Sequence, residues 1–275
     1  MHSGGHNTMI QQMLDGGGEI YVCASNDMLY SKDFVSKIVS AMQKEGAKVA
    51  TCRLMQWDFQ KVLDGNIEGS KTSIIDSYGI GLTRSHKFFD QGQGIEESNF
   101  PKHPKIIGPS GALAVYHKEA LEAIAYKNED GEKEYFDAAL HYKNDCDLAY
   151  RLSWAGFKCL LVDVKVYHDR QLGDKSGTGA VEKLKDHHQK AYWAKESSLF
   201  GHLVALEKNF SKDFSFGVKI RTFFSRVARL LYTIFLSPKM IPTYTKVSVL
   251  KEEIDKKREA MQRKVNAREI ERLMS

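Results

Sequence analysis

The chain has 275 residues, 42% of them hydrophobic, which suffices for one medium domain plus an appendage. Its four cysteines, Cys23, Cys52, Cys146 and Cys159, are scattered with no CxxC pair, so they read as buried thiols of a reducing compartment rather than a disulfide framework or zinc site. The net charge of +5 is unevenly divided: residues 1–180 balance at −4 and residues 181–275 at +9, an acidic front joined to a basic tail.

Met1 to His6 lacks a charged-then-apolar signal pattern, and no apolar run approaches the roughly 18 residues that span a membrane. A short helix is predicted over Thr8 to Leu14, broken by Asp15-Gly16-Gly17-Gly18. Glu19 to Ala24 reads as a buried strand that ends at Ser25-Asn26-Asp27. Phe34, Val35, Ile38, Val39 and Met42 keep helical spacing from Ser31 to Lys44, Gly46 supplies the stop, and Ala47 to Leu54 is the next strand. This strand–acid–helix–strand order is an α/β pattern with Asp27 at a strand's carboxyl end, where open sheets bind ligands. Residues 55–107 are less regular, and His86 and His103 read as exposed loop histidines.

Gly108-Pro109-Ser110-Gly111 is a turn entering the apolar run Ala112 to Tyr116, followed by a helix from Lys118 to Ala125 and a polar loop from Asn128 to Lys133. The stretch Tyr135 to Leu152 delivers Asp145 and Asp147 to the start of a helix with Leu148, Leu152 and Ala155 on one side and Gly156 at its end. Asp147 reads as an N-cap and Asp145 as an acid just outside it, where it could face a pocket. Strand-like runs follow, Cys159 to Val162 and Val164 to His168, and then a Gly/Ser/Thr loop over 173–179, a lid or a disordered link. Residues 181–212 read helical, and the pair His187-His188 lacks metal-helix spacing. From Val218 to Leu236, Ile220, Phe223, Phe224, Val227, Leu230, Leu231, Ile234 and Phe235 share one face, with Lys219, Arg221, Arg226 and Arg229 off it. That is a basic amphipathic helix of the kind that lies in a membrane interface; packing on the preceding domain is the alternative. Lys251 to Leu273 reads as a charged terminal helix, solvated or oligomerising.

Phe136-Asp137, Tyr142-Lys143-Asn144-Asp145-Cys146-Asp147-Leu148, Arg151-Leu152 and Ala155-Gly156 together resemble the acceptor-side motif of family 2 glycosyltransferases, in particular the rhamnosyltransferase-like branch. The resemblance implies a GT-A fold with Asp145 as general base, Asn144 standing where the family has Glu. Gly4-Gly5-His6-Asn7 is similar to the family's Gly-Gly-x-Asn helix, and Ser25-Asn26-Asp27 to its Asn-Pro-Asp turn, of which only Asp27 is kept. On this likeness Asn7, Ser25, Asn26 and Asp27 bind the donor, and Ser110, Gly111, Asn144 and Arg151 bind the acceptor or sugar. Asp27 and His168 would hold Mg²⁺ or Mn²⁺. Ile74 to Gly79 and Asp90 to Gly94 also resemble family segments, without an assigned chemistry.

The expected architecture is a GT-A-type mixed sheet with flanking helices over residues 1–180, truncated at its N-terminal side relative to the family, plus a basic helical appendage over 181–275. The expected function is inverting, metal-dependent transfer of a sugar from a nucleotide-sugar to a hydroxyl of a lipid-linked cell-surface glycan. The expected setting is cytoplasmic, peripheral on the inner face of the cell membrane through 218–236, with homo-oligomers possible. The alternative is a non-catalytic remnant that binds glycan or membrane with a partner. Nucleic-acid binding is disfavoured, because the basic residues accompany an apolar stripe rather than exposed stacking aromatics.

Overall fold

A computed structural model describes residues 3–128, 131–169 and 191–275. The loop expected over 173–179 and the pair His187-His188 lie outside the described residues.

The first helix, α1 (Ser3–Asp15), starts earlier than the sequence pattern suggests and leads into β1 (Ile20–Ala24). The short β2 (Met28–Leu29) follows, then α2 (Phe34–Glu45), which buries Phe34, Ile38 and Met42 at i, i+4 and i+8. Gly46, in the left-handed region at φ 62°, closes α2 by donating to the carbonyls of Met42 and Gln43. The central strand β3 (Val49–Trp57) is buried from Val49 to Met55 without alternation, as a strand covered on both faces must be.

The stretch expected to be irregular carries short elements: α3 (Phe59–Leu63), α4 (Ile67–Ser70), β4 (Lys71–Ser77), β5 (Ile80–Leu82) and β6 (Phe88–Asp90). Then come β7 (Leu113–His117), α5 (Lys118–Ile124), the hairpin pair β8 (Tyr126–Lys127) and β9 (Lys133–Glu134), α6 (Asn144–Trp154) and β10 (Cys159–His168).

The main sheet has six strands in the order β1-β7-β3-β10-β2, with β4 also paired to β3. The β3–β10 pair is parallel, and β7 is antiparallel to both β1 and β3. Helices cover both faces. On one face, α1, α5 and α6 place Ile10, Leu121, Leu148 and Leu152 against Tyr21, Cys23 and Tyr116 of the sheet. On the other, α2 packs on Cys52, Leu54, Val115, Val164 and Val166. The result is a mixed α/β sandwich, as the alternating elements predict.

The basic tail forms α7 (Tyr192–Asn209), α8 (Phe216–Leu236), α9 (Ile241–Val249), α10 (Lys251–Ala260) and α11 (Ala267–Leu273). The single helix expected over 251–273 is therefore two helices, parted at Met261, where the amides of Lys264 and Val265 bond the Trp154 carbonyl. The tail is built into the molecule rather than appended to it. Phe214, Val218, Met261, Ile270 and Met274 share a core with Leu82, Ala149, Tyr150 and Trp154, and the Ser275 amide donates to the Leu82 carbonyl. Packing thus does not divide at residue 180.

His86 corrects a second expectation. It is fully buried, with Nδ1 2.8 Å from Thr222 Oγ1 on α8 and Nε2 2.9 Å from Tyr150 OH on α6. His103 is exposed, as expected. Among the described residues no helix is long and apolar enough to cross a membrane.

Candidate active site

Strand pairing builds the site. His168 ends β10 opposite Met28 of β2, so Asp27, one residue earlier, comes to lie beside it. The Asp169 amide donates to the Asp27 carbonyl at 3.0 Å and locks the two strand ends together. His168 Nε2 then lies 3.3 Å from Asp27 Oδ1, while Nδ1 lies 2.8 Å from Oδ2 of the fully buried Asp76 on β4. An ionised carboxylate only accepts, so Asp76 takes the Nδ1–H and orients the ring, with Nε2 turned toward Asp27, where it would donate to that carboxylate or, deprotonated, serve as a metal ligand.

Across the cleft, the turn before β7 meets the start of α6. Gly108 has to be glycine there: a Cβ would come within 2.3 Å of Ala149 Cβ. The Gly111 amide donates to Asp145 Oδ2 at 3.0 Å, and the Cys146 amide donates to Oδ1 at 2.8 Å. Asp145 is the second residue of α6, inside the first turn rather than outside the cap, where the helix dipole favours a carboxylate.

These groups face one open cleft of about 950 Å³ at the carboxyl ends of β1 and β10. Ser25, Asn26, Asp27, Ser110, Gly111, Asp145 and His168 all line it. Trp57, Phe59, Asp90 and Asp169, to which no role was assigned from the sequence, line it too, and Asp76 stands behind it. The lining among the described residues thus holds four carboxylates, from Asp27, Asp90, Asp145 and Asp169, and no Lys or Arg.

Three expected ligand-binding residues lie elsewhere. Asn7 is spent on the backbone: its Nδ2 donates to the Phe136 carbonyl at 2.9 Å, and its Oδ1 accepts from the amides of Tyr135 and Phe136. Asn144 turns its Nδ2 to Ser3 Oγ at 3.3 Å and its Oδ1 to the amide of Asp145. Arg151 is fully buried, donating to Asp147 Oδ2 at 3.0 Å and to the carbonyls of Ile124 and Tyr135. Asp147, expected as a cap, is instead the hub of that buried cluster, with Lys208 Nζ at 2.9 Å and Asn209 Nδ2 at 3.0 Å; the N-cap is Lys143. Lys208 also bonds Asp137, whose other oxygen takes Lys257 at 2.8 Å. Burial pushes the Asp137 carboxyl up, but Lys208 and Lys257 outweigh it and hold it well below the usual carboxylate range.

A divalent cation can be tested against this donor set. Two neighbouring ligands at about 2.1 Å from a Mg²⁺-sized ion sit about 3 Å apart, close to the separation of Asp27 Oδ1 and His168 Nε2. Asp27 Oδ1 is buried and has no hydrogen-bond partner among the described residues, and Asp76 braces His168 as outer carboxylates brace metal-bound imidazoles. The pair fits a cation. Among the described residues no third His, Cys, Asp or Glu completes a cluster, so water and substrate oxygens would fill the remaining positions. No protein-family model matches the chain, and a search of curated proteins returns no match.

Proposed function

We propose that the chain is an inverting glycosyltransferase of GT-A type that moves a sugar from a nucleotide-diphosphate donor to a hydroxyl of a glycan acceptor. The observation that carries this reading is that Asp145 and the Asp27–His168 pair line the same cleft at the sheet's carboxyl ends. Asp27 and His168 would hold Mg²⁺ or Mn²⁺, which when bound neutralises charge on the departing diphosphate. Such an ion would also offset the carboxylates of the described lining, Asp27 and Asp145 among them, toward a diphosphate.

Asp145 has the position of a general base. Its carboxylate is fixed by the Gly111 and Cys146 amides, and each oxygen keeps a second lone pair for an acceptor hydroxyl. As Asp145 takes the hydroxyl proton, the acceptor oxygen bonds to the anomeric carbon. The carbon–oxygen bond to the diphosphate breaks on the opposite side, and its electron pair leaves with the diphosphate. A single in-line displacement inverts the anomeric centre. Trp57 and Phe59, edge-to-face at 5.3 Å, give the cleft an apolar wall on which a nucleobase or sugar ring can rest.

Asp145→Asn tests the assignment. Transfer should fall about 10²–10⁴-fold with nucleotide affinity unchanged. Equal loss of both would remove Asp145 from the role of base. Nucleotide binding without turnover in the wild-type chain would favour the binding-subunit reading instead.

A further inference from the structure

A helix normally turns its apolar face inward. The helix α8 does the reverse. Its buried positions are Val218 near its start and then Thr222 and Thr233, and Thr222 is bonded to His86. The aromatic and aliphatic face points outward: Phe216 is 77% exposed, Phe223 57%, Phe224 62% and Phe235 75%. Ile241 and Val249 extend the exposed apolar surface past the end of α8. An apolar face of this length is unusual on a monomer and marks a docking surface.

Charge identifies the occupant. Residues 216–249 hold six Lys and Arg and no Asp or Glu. A second copy docked face to face would set these cations against each other, whereas an anionic lipid surface complements both the apolar stripe and its flanks.

Beside α8 lies a cavity of about 530 Å³ lined by Lys87, Lys143, Lys195 and Arg229, with no Asp or Glu in its lining among the described residues. Ser198, Ser225 and Thr233 add hydroxyls to the same wall. His202, on that wall, is held well below the ordinary histidine range, first by burial and then by Arg229 and Lys143, which marks the region as electropositive. Two segments connect this cavity to the catalytic cleft. Lys143 lines the cavity and Asp145, two residues on, lines the cleft; Phe88 lines the cavity and Asp90, two residues on, lines the cleft.

We infer that the outward face of α8 lies in an anionic membrane interface and that the adjacent basic cavity takes a lipid phosphate. The cleft is then held next to the lipid headgroups, because Phe88 and Lys143 of the cavity wall lie two residues from Asp90 and Asp145 of the cleft. This inference stands apart from the glycosyl-transfer reading, because the vesicle experiment contains no nucleotide.

The test is co-sedimentation of the full chain with vesicles of phosphatidylcholine alone and of phosphatidylcholine with phosphatidylglycerol. Binding should require the anionic lipid and weaken with salt. Phe224→Ser with Phe235→Ser, both at exposed positions, should abolish it. Lys87→Ala with Lys195→Ala should lower it about tenfold or more, and inorganic phosphate should compete in the wild type but not in this lysine variant. Binding to neither vesicle, or equally to both, would overturn the inference, as would binding unchanged by the Phe substitutions. A dimer in sedimentation equilibrium that the Phe substitutions dissolve would assign the face to a second copy instead. Lysine variants that bind as well as wild type would remove the cavity from the account.

Discussion

His168 Nδ1 and Asp76 Oδ2 are 2.8 Å apart, and Asp76 has no solvent exposure. The ring that turns Nε2 into the cleft is therefore oriented by a carboxylate that no ligand can reach. Asp76→Asn replaces the charged acceptor by a neutral amide that can also present its NH2 to the ring, and Mn²⁺-dependent nucleotide affinity should fall about 10–100-fold. Calorimetric titration measures this; an affinity within about twofold of wild type would mean that Asp76 does not orient the ring.

Gly111 is the contact through which the β7 turn holds Asp145. A Cβ there would come within 2.8 Å of Asp145 Oδ2, and the carboxylate would have to move. Gly111→Ala should lower transfer about 10²-fold, the scale of an ångström's misplacement, while nucleotide binding persists. Unimpaired turnover would show that the carboxylate's position is not critical.

Lys208 is wholly buried between Asp137 and Asp147. Lys208→Met deletes the cation and leaves carboxylates buried with fewer partners, which should destabilise the fold by about 3–5 kcal/mol. Urea unfolding reads the loss directly. Arg151→Lys should show the same signature, lower stability with unchanged ligand affinity in the folded fraction, because Arg151 touches the core and not the cleft. A selective loss of acceptor binding in Arg151→Lys would restore it to the site.

Burial lowers the His86 pKa from 6.5 to about 4, with Arg226 adding to the effect. The unfolded chain then binds more protons than the folded one between these values. His86's contribution to stability is complete above about pH 6.5 and is lost as the pH falls toward 4, by about 3 kcal/mol in all. Stability measured by urea unfolding across this range should fall with the uptake of close to one proton at this site, and His86→Gln should flatten the profile by that amount. An unchanged slope in His86→Gln would assign the acid lability to other groups.

The site was legible where the chemistry coincides with a strand end or a sharp turn. Asp27 lies in the turn after β1, His168 closes β10, and Ser110 and Gly111 form the turn before β7, so their positions in sequence place them beside the sheet's carboxyl edge. Arg151 and Asn7 sit in the same motifs but face the core, and a motif does not record which way a side chain points. The Asp147–Arg151 spacing of four was a readable sign of an internal ion pair. Asp76 also left a signal, an acid directly after the apolar pair Ile74-Ile75, but its partner is 92 residues away. The two faces of α8 were visible in its periodicity. The inward face is the one whose Val218 enters the shared core and whose Thr222 meets His86, and those partners come from distant segments.

The central claim is a cation-dependent nucleotide site built on Asp27 and His168. A thermal-shift titration with UDP, dTDP and GDP, each with and without Mn²⁺, beside Asp27→Ala, tests it most directly. Ligand at about 100 times its dissociation constant adds about 2.7 kcal/mol, a rise of roughly 5–10 °C for a chain of this size. The account predicts such a rise for one nucleotide, only with Mn²⁺ and absent in Asp27→Ala. No rise with any nucleotide, or a rise that persists without Mn²⁺ or in Asp27→Ala, would contradict it.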